Sequence, residues 1–154
     1  MLNRFAFALA LVAAGPAHAL TCPRPSVSNS YEIADERSES FVIALGSLER
    51  AGSDMPDAPA SENPNRPVGY MFPARFEGRF AGSDGFFTDQ SVDVMVDVTC
   101  EASWCGGESL SDYGLYFLRV DEEKGYVLES GPCAFFFFDN PTEHLLMEVI
   151  GEMN

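Results

Sequence analysis

The amino terminus reads as an export signal, which limits the rest of the chain to one small domain in an oxidising compartment. Arg4 gives a basic start, residues 5–14 are an unbroken apolar run, and Ala-His-Ala at 17–19 has the small–any–small form that signal peptidase accepts. The apolar run is too short to span a bilayer as a stable helix. We therefore predict a signal peptide at 1–19 and a secreted or periplasmic mature chain. Removing those residues from the 154 leaves 135, which fits one domain over 20–154.

The predicted mature chain is strongly acidic and nearly free of histidine. Once Arg4 is removed it has 24 Asp and Glu against eight Lys and Arg, a formal charge of −16. Such a charge favours solubility and repels nucleic acid and anionic lipid. His144 is the one histidine left, so a Ser-His-Asp set would have to use it, and a zinc site with two or three histidines cannot form within one chain. The sequence thus predicts a non-catalytic protein that has no cofactor or metal, binds no nucleic acid and is not inserted in a membrane.

Short alternating segments predict a mainly β fold. In residues 92–98, valines at every second position alternate with Asp93, Met95 and Asp97, as in a strand with one buried face. Proline-rich residues 49–68 predict a mobile loop, and residues 81–89 a turn-rich connection. Helices are predicted at 31–37, capped by Ser28 or Ser30, and at 142–150. Strands are predicted at 40–48, 70–80, 91–99, 113–120 and 126–129. Five such strands with a short N-terminal helix and a C-terminal helix predict a small, five-stranded OB-like Greek-key barrel.

All four cysteines lie in the predicted exported part, where disulfides persist: Cys22, Cys100, Cys105 and Cys133. The four residues between Cys100 and Cys105 differ from the two-residue spacing of redox and zinc motifs. We therefore predict two structural disulfides. The residues alone leave all three pairings open.

Several short motifs follow one another along the predicted mature chain. They are Cys22, Ala34-Asp35, the glycine-containing strand at 41–46, the valine-rich strand at 92–98, Trp104-Cys105-Gly106, the strand at 114–118, Val127-Leu128 and Cys133. This order resembles the netrin-like, OB-fold domain of tissue inhibitors of metalloproteinases and their bacterial relatives. The resemblance implies disulfides between Cys22 and Cys105 and between Cys100 and Cys133, and it implies binding of a protein or other ligand.

One departure from that family concerns the amino terminus. In the inhibitors the mature protein begins at a cysteine, whose α-amine and carbonyl bind the zinc of the target. Here the expected cleavage after Ala19 leaves Leu20 and Thr21 ahead of Cys22, whereas cleavage after Thr21 would free the amine. We therefore predict a non-catalytic binding module. The alternatives are a metalloprotease inhibitor acting through Cys22 and a secreted hydrolase using two carboxylates.

Aromatic residues supply the candidate binding surface. Trp104 lies between two cysteines, where we expect it to cap the core over a disulfide; the alternative is a binding anchor on a loop. The four phenylalanines at 135–138 are expected to pack on both sides of a strand, the alternative being an exposed patch. In the second case Trp104, Phe136 and Phe138 would form a surface for an unknown protein or small ligand. Asp84 and Asp89 are interpreted as turn residues rather than calcium ligands. We expect a monomer.

Overall fold

The computed structural model describes residues 21–52 and 67–154, so the predicted signal peptide and most of the predicted loop at 49–68 lie outside the described residues. The prediction of a mainly β fold with two helices is confirmed. The elements are α1 (Val27–Asp35), β1 (Phe41–Arg50), β2 (Tyr70–Gly82), β3 (Gly85–Val98), β4 (Cys100–Glu101), β5 (Trp104–Cys105), β6 (Ser111–Asp121), β7 (Gly125–Ser130), β8 (Phe137–Asp139) and α2 (Glu143–Glu152).

The hydrogen-bonded pairings of the main sheet return to the strand from which they start. β1 pairs antiparallel with β2, and β2 pairs antiparallel with β3. β3 pairs parallel with β7, β7 pairs antiparallel with β6, and β6 pairs antiparallel with β1. The short strand β8 joins β6, so the main sheet has six strands rather than the predicted five. β4 and β5 form a separate two-stranded hairpin.

Gly46 lies where β1 pairs with a strand on each side. It is opposite Gly78 of β2 and Gly114 of β6, and the register of β1 against β6 shifts directly after it. A Cβ atom on Gly46 would lie 2.3 Å from the carbonyl oxygen of Glu77. Because glycine has no Cβ, the two backbones can approach this closely and β1 can bend to reach both neighbours.

Side chains from the five long strands form one hydrophobic core. The ring of Phe76 meets that of Tyr116 edge-on, with centroids 6.1 Å apart, and Tyr116 stacks on Phe137 at 5.3 Å. In β3, alternation turns every second residue inward over residues 94–98, which is why the valine-rich pattern predicted this strand. β6 is instead buried at every residue from 114 to 118. The fully buried side chains include Phe72, Phe76, Val94, Val96, Val98, Leu115, Tyr116, Phe117, Leu118 and Leu128.

The predicted turn-rich connection at 81–89 is wrong. Gly82 pairs directly with Gly85, so β2 and β3 form one long hairpin with a two-residue turn. Arg79 and Asp89 make an ion pair of 3.2 Å on its exposed face. Residues 88–91 of β3 are all polar because this part of the hairpin is largely exposed, so they lack the alternation of apolar and polar residues that predicts a strand.

Both helices begin at capping residues. Ser26, rather than the predicted Ser28 or Ser30, caps α1, because its hydroxyl accepts a 3.2 Å hydrogen bond from the amide of Asn29. Ser30 is buried, and its hydroxyl contacts the carbonyl of Phe135. The cap of α2 is Thr142, which agrees with the predicted helix at 142–150. The two helices contact each other.

Candidate functional site

Two disulfides lie at one end of the main sheet, which we call the disulfide end. They join Cys22 to Cys133, with a Cα–Cα distance of 5.3 Å, and Cys100 to Cys105, at 4.0 Å. The prediction of two disulfides is confirmed, but the pairing implied by the netrin-like resemblance is wrong. Cys100 and Cys105 are direct partners across the β4–β5 hairpin, which places the two cysteines beside each other.

The β4–β5 hairpin is held against the ends of β3 and β7 by backbone contacts. The amide of Thr99 donates to the carbonyl of Ser130 at 3.1 Å, and the amide of Gly106 donates to the carbonyl of Thr99 at 3.0 Å. A Cβ atom on Gly106 would lie 1.9 Å from the carbonyl oxygen of Ser130, so only glycine permits this approach. Both strands of the hairpin are therefore fixed where they join the rest of the chain, by these contacts and by the Cys100–Cys105 disulfide.

Trp104 is exposed on this hairpin. Its relative exposure is 60%, so it does not cap the core over a disulfide as expected. Glu101 is its direct partner on the neighbouring strand, and such partners project to the same face of a hairpin. Ala102, in the connecting turn, has a φ of 52°, which tight hairpin turns require at that position. The fold thus holds a large aromatic ring in solvent on a short, cross-linked support.

A cleft of about 420 Å³ lies at the disulfide end beside this hairpin. Its apolar side includes Pro132 and Phe135, and its polar side carries three carboxylates, those of Asp97, Glu101 and Glu129. Asp97 and Glu129 are neighbours on the parallel strands β3 and β7. Glu101 lines the cleft and is opposite Trp104, so Trp104 adjoins a lining residue of the cleft, a position that we call the rim.

Glu129 is bound by two arginines. It accepts hydrogen bonds from Arg37, at 2.6 and 3.0 Å, and from Arg119, at 2.6 Å. Burial raises the pKa of the Glu129 carboxyl, but these hydrogen bonds outweigh burial, so its pKa lies below the ordinary value. Arg37 also binds Glu39, and Arg119 binds Asp121. Glu129 is therefore an ionised anchor of a five-residue network.

The predicted aromatic surface is not assembled as a unit. Phe136 is only 7% exposed, and its ring packs against Phe41 at 5.3 Å and Phe117 at 6.2 Å. Phe138 is half-buried, with its ring 6.4 Å from Phe117. Of the three predicted surface residues, only Trp104 is exposed. Phe136 is placed in the core because β6 covers the segment that contains it.

The most exposed aromatic residue that the structure describes was not predicted from the sequence. Phe87, near the start of β3, is 73% exposed, whereas its neighbour Phe86 is buried. Adjacent residues of a strand point to opposite faces, so the Phe-Phe pair itself was the available signal. Phe87 lies near the start of β3, whereas Trp104 follows the end of this strand.

A second cleft, of about 540 Å³, lies by the end of β1. It is lined mainly by polar groups, and several of these already have partners within the chain. Arg50 pairs with Glu108 and lies 4.3 Å from the centroid of the Phe72 ring. Asp139 accepts a 2.6 Å hydrogen bond from Ser111. This cleft therefore offers a ligand less apolar surface than the disulfide end.

No family model, curated protein or solved structure matches the chain. Within residues 21–52 and 67–154, neither helix has the length and apolar content needed to cross a bilayer. The same residues contain no group of three or more His, Cys, Asp or Glu side chains that could hold a metal ion. The candidate site is therefore defined by its own geometry: Trp104 at the rim, an apolar wall and three carboxylates.

Proposed function

We propose that the chain is an exported, non-catalytic binding module built on an OB-like Greek-key barrel. Five long strands whose pairings return to the first strand are consistent with a small barrel of the OB type. The glycine at the bend of β1 supports the same interpretation, because a strand shared by two neighbours must curve strongly. The two disulfides are compatible with a secreted or periplasmic protein.

The observation that carries the proposal is the exposure of Trp104. Tryptophan is enriched at the centres of protein interfaces, where its large ring is buried against a partner. Here the ring lies on a support that is cross-linked by Cys100 and Cys105. A rigid support reduces the conformational entropy lost on binding. The disulfide end is thus suited to binding a partner without a catalytic step.

A hydrolase that uses two carboxylates is less consistent with this site. A general acid needs a pKa raised toward neutral pH, as burial without a charged partner would produce. The pKa of Glu129, the carboxyl that two arginines bind in the cleft, is instead lowered. Glu129 therefore serves better as a structural anchor than as an acid.

Metalloprotease inhibition through Cys22 is the second candidate. The observation that favours it is the position of Cys22, which is exposed and tied to Cys133 at the same end as Trp104. A free α-amine on Cys22 would require cleavage after Thr21. Sequencing the mature amino terminus tests this candidate: a start at Leu20 contradicts it, and a start at Cys22 supports it.

The proposal is tested by capture of partners from the exported fraction of the producing organism. The bait is the mature protein, compared with the variants Trp104→Ala and Phe87→Ala. Both variants remove one exposed aromatic ring, but only the first lies at the disulfide end. We expect a partner that the parent protein and Phe87→Ala retain and that Trp104→Ala loses. Equal retention by all three proteins would contradict the proposal.

A further inference from the structure

The charges at the disulfide end are not balanced. Arg37 and Arg119 face three carboxylates, those of Glu39, Asp121 and Glu129, so their network has a net charge of −1. Asp97 and Glu101 add two further negative charges, and neither carboxylate makes a hydrogen bond or ion pair with any residue that the structure describes. Two further cations belong to this end: Lys124, which is 4.0 Å from the sulfur of Met71, the partner of Asp97 on β2, and Arg24, two residues after Cys22. Even with both included, the surface keeps a net charge of −1.

The apolar side of the cleft is suited to the stem of a long basic side chain. Pro132 and Phe135 form part of this wall, and the exposed Trp104 is opposite Glu101, which also lines the cleft. Lysine and arginine bury their methylene stems along apolar surfaces while the charged group stays near water or a carboxylate. A cation is also attracted to the face of an indole ring. The cleft thus offers an apolar surface to the stem of a basic side chain, and carboxylates and an indole ring to its charged group.

We propose that the disulfide end binds a basic segment of a partner protein, with an arginine as the residue that enters the cleft. The planar guanidinium can stack on Trp104 and pair with the carboxylate of Asp97 or Glu101, which an ammonium group does less well. A volume of about 420 Å³ lies within the range of small-ligand sites and accepts an anchor residue with its neighbour, not a folded domain. This inference rests on the proposed binding function and adds the chemistry of the partner.

The test uses the emission of Trp104, which is the only tryptophan of the chain and is opposite Glu101 of the cleft lining. The probe is acetyl-Phe-Arg-amide, and the matched control is acetyl-Phe-citrulline-amide, in which a neutral urea replaces the guanidinium. We expect a saturable change in emission with the arginine probe and at least about tenfold weaker binding of the citrulline probe. Raising the salt concentration should weaken binding of the arginine probe and leave binding of the citrulline probe nearly unchanged.

Substitutions of single carboxylates test which of them contribute to the affinity for the arginine probe. We expect Asp97→Asn and Glu101→Gln each to weaken the arginine probe by about fivefold or more. The matched control is Asp84→Asn, which removes one exposed carboxylate from the turn at the opposite end of β3. Its affinity for the probe should equal that of the parent protein.

Three outcomes would overturn the inference. They are equal binding of the two probes, no saturable binding of either probe, and equal loss of binding in Asp84→Asn and Asp97→Asn. The proposed function fails separately, through retention of the natural partner by Trp104→Ala. If Trp104→Ala loses that partner while Asp97→Asn and Glu101→Gln keep it, the binding function stands and the basic segment is excluded.

Discussion

The two disulfides close loops of very different length, so their removal should cost different amounts of stability. Cys22 and Cys133 are 111 residues apart, whereas Cys100 and Cys105 are five apart. The loop entropy of the unfolded chain then gives about 4.8 kcal/mol for the first disulfide and about 2 kcal/mol for the second. We expect the pair Cys22→Ser and Cys133→Ser to lose more than twice the free energy of unfolding that Cys100→Ser and Cys105→Ser lose.

The assay is urea denaturation of the two double variants and the parent protein, followed by far-ultraviolet circular dichroism. The pairing implied by the netrin-like resemblance would close loops of 83 and 33 residues. Those lengths correspond to about 4.6 and 3.7 kcal/mol. Under that pairing each double variant would remove one cysteine from both disulfides, so both variants would lose the same total. Equal losses in the two double variants would therefore refute this reasoning, as would non-reducing peptide mapping that joins Cys22 to Cys105.

Three further substitutions test the account of the fold. Glu129→Gln should cost about 2–3 kcal/mol, because charged hydrogen bonds from two arginines are weakened. The pKa of Glu129 in the folded protein lies below its ordinary 4.5, so its contribution to the free energy of unfolding is complete above that pH and is lost as the pH falls through the folded value. Urea denaturation at several pH values should therefore show that the stability of the variant falls less on acidification than that of the parent protein. Ala102→Gly should stabilise the protein by about 0.5–1 kcal/mol in thermal unfolding, because it relieves a positive φ; an unchanged or lower stability would contradict the turn geometry. Gly46→Ala should cost about 3 kcal/mol, because its Cβ would meet the backbone of β2. Gly107→Ala should cost less than about 0.5 kcal/mol, because its Cβ would make only an ordinary contact, 3.9 Å from the amide nitrogen of Ser109. Similar losses in both variants would argue against the close approach at Gly46.

Most of the long strands could be predicted because they bury one face and expose the other, whereas β6 is buried on both faces over residues 114–118. Residues 92–98 are the clearest case, and β1, β2, β6 and β7 also appear in the predicted order. Prediction failed where that contrast is missing. The start of β3 is exposed over residues 87–89, so its polar side chains resemble a loop. β8 is three residues long and is defined by its pairing with β6, which a local pattern cannot reveal.

The candidate site was only partly predictable for a related reason. Trp104 and the cysteines stand out in the sequence, but their exposure and pairing depend on contacts between distant segments. Asp97 illustrates this dependence. It reads as the outward residue of an alternating strand, and it reaches the cleft only because β7 pairs in parallel with β3 and places Glu129 beside it. Parallel pairing of strands far apart in sequence leaves no local signal.

Photo-crosslinking from position 104 tests most directly the claim that the disulfide end is the binding surface. A benzophenone side chain would replace Trp104 in one protein and Phe87, the other highly exposed aromatic residue, in a second. Both proteins would be irradiated in the exported fraction and their adducts identified by mass spectrometry. We predict a discrete adduct with one partner from position 104 and none with that partner from position 87. An adduct from position 87 alone, or the absence of any adduct from position 104, would contradict the claim.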